Sequence, residues 1–280
     1  MSPTRLIALT GLAMLAFAGN SLLCRAALRH TPIDAATFTT VRLVSGAIAL
    51  WLLVALRRKQ AWQAGNWLSA LALFVYAAGF SYAYLSLPAA TGALLLFGAV
   101  QATMIGHGLW RGERFTRTQL LGLVLALGGV AALLLPGASA PPMAGATLML
   151  TAGIAWGIYS LRGRGTGDPT GTTAGNFLRA APMALCLSAL TPGHADWDLA
   201  GLGLAIASGA LASGLGYALW YAALPGLRAT QSATVQLSVP VLAALGAIGL
   251  LGEPLTLHLV LTSMAVLGGI ALVIRDRSHR

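Results

Sequence analysis

Residues 112–131 read GERFTRTQLLGLVLALGGVA, and residues 252–271 read GEPLTLHLVLTSMAVLGGIA. At a constant offset of 140, Gly112-Glu113 matches Gly252-Glu253, Thr116 matches Thr256, and Leu127-Gly128-Gly129 matches Leu267-Gly268-Gly269. Each copy closes one half of the chain, so the protein is a tandem repeat, and that period governs every other reading. Within each copy the threonine can cap the helix that follows. The glycines let helices approach closely in lipid. Glu113 and Glu253 read as architectural rather than catalytic.

Composition fixes the solvent. The chain has 280 residues, 57% hydrophobic and only 9% charged, against roughly 25% charged in a soluble domain. Glycine is abundant, as in membrane helices. A net charge of +10 would point to nucleic acid in a soluble protein; here the basic residues lie in short loops between apolar spans, so membrane orientation explains them. Cys24 and Cys186 lie at the end of one apolar run and inside another, which argues against a disulfide framework. No Walker A loop, metal cluster or nucleophile elbow is present, so no cofactor or metal is expected.

A membrane-spanning helix needs about 20 apolar residues. Ten segments qualify, roughly 4–24, 34–56, 67–87, 89–109, 117–135, 143–161, 172–190, 198–224, 228–250 and 256–274. The first resembles a signal peptide, with Arg5 before an apolar run and Ala16-Phe17-Ala18 as a cleavage-like site. Its partner in the second half argues otherwise: Phe17 to Leu22 lines up with Trp156 to Leu161. Other landmarks recur in the same order. Pro32 and Arg42 match Pro169 and Arg179, and Tyr84 and Pro88 match Tyr221 and Pro225. The expected organisation is a first five-helix half at 1–135, a linker at 136–142, a second half at 143–274 and a cytoplasmic tail at 275–280. An odd number of helices per half inverts the second half relative to the first. The fold class is therefore an all-α integral membrane protein, with ten transmembrane helices in two inverted repeats around a central cavity, a transporter design.

Lys and Arg set the orientation. With the N-terminus in the cytoplasm, 13 of the 17 basic residues fall inside and only Arg25 and Arg29 outside. Both termini are then cytoplasmic. Arg42 and Arg179 lie within spans. Each reads either as a ligand for a substrate carboxylate or gate partner, or as a snorkelling or carbonyl-bound side chain.

Aromatic and amide side chains mark particular faces. Helix 3 carries Tyr76, Phe80 and Tyr84 at i, i+4, i+8. Helix 8 carries Ser213, Tyr217, Trp220 and Tyr221. Helix 6 carries Trp156 and Tyr159, and helix 4 carries Phe97 and Gln101 with His107 nearby. Helix 1 supplies Asn20 and Ser21, and helix 9 opens with Thr230, Gln231, Ser232 and Thr234. Lipid does not reward amides and hydroxyls, so these should face protein or a cavity. The candidate substrate-binding set is Asn20, Tyr76, Phe80, Tyr84, Phe97, Gln101, Trp156, Tyr159, Ser213, Tyr217 and Gln231, with Trp156 paired by the repeat to Phe17. Aromatic walls with neutral hydrogen-bonding groups suit a neutral or zwitterionic solute. No Asp or Glu lies in mid-span, so obligatory proton coupling is not indicated, and an intramembrane enzyme lacks its acid, base or nucleophile. Ten helices already supply both sides of a cavity, so a monomer suffices.

Two five-helix halves, each ending in Gly-Glu-x-x-Thr and a Leu-Gly-Gly helix, resemble the EamA branch of the drug/metabolite transporter superfamily. Within it, the chain looks most like the YddG-type amino-acid exporters of bacterial inner membranes. The resemblance implies a cavity lined by helices 1, 3, 4, 6, 8 and 9, with helices 5 and 10 peripheral. It also implies amino-acid efflux, with aromatic residues and methionine prominent. Export of a drug or other small metabolite is the alternative.

Overall fold

The computed structural model describes residues 2–56, 64–112, 116–135, 140–163, 167–191, 196–227 and 235–277. They form α1 (Pro3–His30), α2 (Ala35–Leu56), α3 (Trp67–Tyr84), α4 (Ala89–Trp110), α5 (Arg117–Leu134), α6 (Met143–Arg162), α7 (Pro169–Ala189), α8 (Leu199–Gly226), α9 (Ser238–Leu251) and α10 (Leu257–Arg277). Among the described residues there is no strand. Eight helices are long and apolar enough to cross a membrane, and α9 is a shorter apolar helix. The remaining one, α7, carries Thr170, Thr173, Asn176 and Arg179 along its length.

Short polar residues set the helix starts. Asn66, Asp168 and Asp198 each accept from the backbone N–H three residues on, and Asp34 accepts from Ala36 and Thr37. Such caps satisfy orphan N–H groups, so three of the few acids in the chain serve helix ends rather than mid-span chemistry. The repeated ending behaves as its spelling suggests. Gly112 and Gly252 have φ of 87° and 63°, the left-handed conformation that stops a helix. Thr116 forms a reciprocal capping box with Gln119, and Thr256 accepts from Leu259 N–H.

The helix pairings obey the inverted two-fold. α2 packs on its own counterpart α7, and α5 on its counterpart α10. α3 packs on α6 as α8 packs on α1, and α4 packs on α6 as α9 packs on α1. The architecture is thus ten helices in two inverted five-helix repeats.

The α5–α10 contact shows what the doubled glycines do. A Cβ on Gly122 would lie 2.6 Å from the Gly269 carbonyl oxygen, and one on Gly129 would lie 2.9 Å from Ala265 Cβ; a Cβ on Gly269 would strike Gly122 O and Ala126 N. Gly128 and Gly268 face open space. Only the second glycine of each pair packs. Close backbone approach replaces the hydrophobic drive that lipid removes. Gly269→Leu is therefore expected to destabilise the protein by about 1–3 kcal/mol or more through overpacking, whereas Gly268→Leu stays within about 0.5 kcal/mol. Thermal unfolding in detergent checks this, and equal shifts for the two variants would refute it.

Two spans differ from the apolar reading. The ninth, expected as one helix over 228–250, has a turn at Leu237 and its helix begins at Ser238. α1 runs six residues past 24, to His30. Arg25 is therefore not in a loop: it is a buried residue on the last turns of α1, 8% exposed. A hydropathy scan ends at the first charge, but a helix does not have to when the charge finds a partner inside the bundle.

Candidate functional site

Between the two halves lies a cavity lined by Phe17 and Asn20 of α1, Tyr76 and Phe80 of α3, Leu96 and Phe97 of α4, Trp156 of α6 and Tyr217 of α8. Six of the residues marked in the sequence, Asn20, Tyr76, Phe80, Phe97, Trp156 and Tyr217, come together here. Its volume is ≈ 20 Å³, room for about one water. In this conformation the walls stand close together.

Trp156 is the centre of the aromatic wall. Its ring lies 4.8 Å from Tyr76, 5.0 Å from Tyr217 and 5.3 Å from Tyr159, centroid to centroid. Phe17, its repeat counterpart, meets Tyr217 at 5.8 Å and Trp220 at 6.0 Å. Trp156–Tyr76 and both Phe17 pairs bridge the halves, since α6 packs on α3 and α1 on α8. Gly153, one turn before Trp156, brings α6 against α4: a Cβ there would lie 2.6 Å from both Leu96 O and Ala99 Cβ. That approach sets Trp156 beside Leu96 and Phe97.

The polar side of the cavity is one network. Ser208 Oγ donates to Asn20 Oδ1 at 2.6 Å, and Asn20 Nδ2 donates to the Tyr76 hydroxyl at 3.2 Å. Arg42 donates from Nη2 to the same hydroxyl at 3.0 Å and from Nε to Ser213 Oγ at 3.3 Å. Its guanidinium lies over the rings of Phe80 and Tyr76, 4.8 and 5.1 Å from their centroids, a favourable cation–π geometry. Arg42 is 1% exposed.

Ser208 and Ser213 both reach this network because Ala207–Leu215 is π-helical. In an α-helix, residues five apart point about 140° away from each other; the wider π turn brings them to one face. Such insertions in helices concentrate at functional sites. The sequence reading, built on an i, i+4 period, found Ser213 and missed Ser208.

The other marked residues do not line the cavity. Tyr84 is fully buried behind Phe80, packed edge-on at 4.8 Å, with its hydroxyl donating to Ala89 O at 3.4 Å. Tyr159 backs Trp156 and accepts from Asn176 Nδ2 at 3.4 Å. Gln101 is buried one turn beyond Phe97, and Ser213 Oγ accepts from Arg42 Nε. Gln231, with Thr230, Ser232 and Thr234, lies outside the described residues. Among the described residues no group of His, Cys, Asp or Glu could hold a metal.

The two intramembrane arginines separate. Arg179 is half-buried and donates from Nη1 to Ala64 O at 2.7 Å and Gly175 O at 2.9 Å. It takes the carbonyl-bound role, while its repeat counterpart Arg42 joins the cavity network.

A second polar cluster ties three elements together at one end of the bundle. Glu253 Oε1 accepts from Arg25 Nε at 3.0 Å and lies 3.5 Å from Arg29 Nη1, and Oε2 accepts from Ala89 N–H, the first residue of α4, at 2.7 Å. Arg25 Nη1 donates to Tyr84 O at 2.8 Å. This clasp joins the end of α1, the α3–α4 link and the loop before α10. Glu113, the counterpart of Glu253, lies outside the described residues.

An aromatic cavity with a hydrogen-bonded floor, enclosed between inverted five-helix halves of a multi-pass membrane protein, defines a membrane transporter. The EamA-like transporter family matches residues 5–135 and again 143–275, and the chain belongs to that family. It is 62% identical, over its whole length and 98% of the relative, to an uncharacterised protein of Pseudomonas aeruginosa. The threonine/homoserine exporter RhtA of Escherichia coli K12 is 34% identical over 141 residues, 49% of this chain and 48% of that protein. A solved crystal structure matches 98% of this chain and 99% of its own with a TM-score of 0.70 at 18% identity, a likeness of fold.

Proposed function

We propose that this protein exports amino acids across a bacterial inner membrane by facilitated alternating access, as a monomer with both termini cytoplasmic. The observation that carries the reading is the cavity itself. Trp156, Tyr76, Tyr217, Phe17 and Phe97 offer apolar and cation-attracting ring surface, and Asn20, the Tyr76 hydroxyl and the adjoining Arg42 offer polar anchors. Amphipathic zwitterions need both. The half-length likeness to a threonine/homoserine exporter supports amino acids as the class, and the aromatic walls favour phenylalanine and methionine within it. The excess of Lys and Arg on one side supports the orientation, which sets the Arg25–Glu253 clasp at the outer face. The short α3–α4 link and its counterpart at Leu224–Gly226 would let helix hairpins move as units.

Proteoliposomes preloaded with labelled phenylalanine, methionine, threonine or lysine test this without any ion gradient. The expected result is protein-dependent flux of phenylalanine and methionine above lysine. Threonine flux exceeding both would move the specificity toward that of the named relative. No flux of any amino acid, with or without an imposed proton gradient, would overturn the reading and leave drugs or other small metabolites as substrates.

A further inference from the structure

The Arg42–Tyr76–Asn20 network brings the Tyr76 hydroxyl to the edge of the cavity. A phenol hydroxyl both donates and accepts, and that of Tyr76 accepts from Arg42 Nη2 and Asn20 Nδ2. With the Asn20 amide set as here, Oδ1 on Ser208 and Nδ2 on Tyr76, the Tyr76 hydroxyl hydrogen is left for another acceptor at the cavity. Tyr76 and Asn20 both line the cavity.

Arg42 makes that hydrogen unusual. The guanidinium is buried and, among the described residues, has no carboxylate partner: its contacts are two hydroxyls and two ring faces, and Nη1 has no hydrogen-bond partner. A buried cation without a counter-ion raises the local potential and strengthens every hydrogen bond donated from that side of the cavity. Repeat symmetry does not demand this arrangement, because Arg179 at the equivalent position is bound to main-chain carbonyls.

We propose that this corner is an anion subsite: the substrate presents a carboxylate, which accepts from the Tyr76 hydroxyl and is held by the charge of Arg42 behind it. The inference rests on the reading that the cavity holds the transported solute, and it names the chemical group that the cavity selects. Amides, esters and decarboxylated amines of the same side chain are discriminated against. The rings around Trp156 then receive the remainder of the molecule, including an ammonium group over a ring face.

The test is ligand-induced thermal stabilisation of the full-length protein in detergent by two compounds of one shape, 3-phenylpropanoate and its amide. The carboxylate is expected to bind at least about tenfold more tightly than the amide. Arg42→Gln should bring the two within about twofold by weakening the carboxylate only. Tyr76→Phe keeps the ring and the charge, and should remove most of the same preference, which decides the matter if Arg42→Gln does not fold. Equal binding of amide and carboxylate by the unaltered protein, or a carboxylate preference that survives both substitutions, would overturn the proposal. Carboxylate selectivity without amino-acid flux in proteoliposomes would retain the subsite and defeat the amino-acid reading; flux without carboxylate selectivity would do the reverse.

Discussion

Glu253→Ala is expected to lower the stability of the folded protein by about 3–5 kcal/mol, the usual result of removing one member of a buried ion pair. The Glu253 side chain is 4% exposed and that of Arg25 10%, so neither charge is relieved by water. Removal of the carboxylate strands Arg25 Nε and takes the acceptor from Ala89 N–H at the start of α4. Arg29, 46% exposed, can turn to solvent and contributes little. Glu253→Gln keeps an acceptor for one donor and loses the charge, so it should fall between Ala and the unaltered protein. Chemical or thermal unfolding in detergent measures the differences. A loss below about 1 kcal/mol for Glu253→Ala would show that water reaches the clasp and that it does not hold the bundle end together.

Trp156→Ala should reduce flux of aromatic substrates at least tenfold, about 1.4 kcal/mol of binding or barrier. The ring is shared by three tyrosines, at 4.8, 5.0 and 5.3 Å, and such pairs are each worth about 0.5–1.5 kcal/mol beyond simple burial. Truncation removes the wall against which a substrate ring would stack and frees Tyr76 from one of its packing partners. Trp156→Phe keeps an aromatic face and should recover most of the rate. Melting temperatures of the two variants separate a lost site from a lost fold. Flux through Trp156→Ala within twofold of the unaltered protein would remove Trp156 from the substrate path.

The repeat was legible because its physics is local. A glycine that stops a helix in the left-handed conformation, a threonine that caps the next one and a small-residue face at a fixed spacing are properties of a few consecutive residues. They therefore survive in the sequence at positions 112–129 and 252–269. The aromatic face of α3 was legible for the same reason: Tyr76 and Phe80 follow the α-helical period and both line the cavity. Period does not report depth, however. Tyr84 continues the same face but lies beneath the start of α4, and Tyr159 follows Trp156 but turns to Asn176.

Sequence by itself determined the solvent, the ten helices, the inversion and most of the aromatic wall, because hydropathy, capping and helical period act over short stretches. Tertiary structure decided which of two equivalent arginines joins the network beside the cavity, since Arg42 meets Tyr76 and Ser213 from other helices while Arg179 meets carbonyls. It decided that Ser208 joins the site through a π-helical turn that no i, i+4 pattern encodes. It also decided that Arg25 is buried rather than in a loop, because the carboxylate that satisfies it stands 228 residues away in the chain.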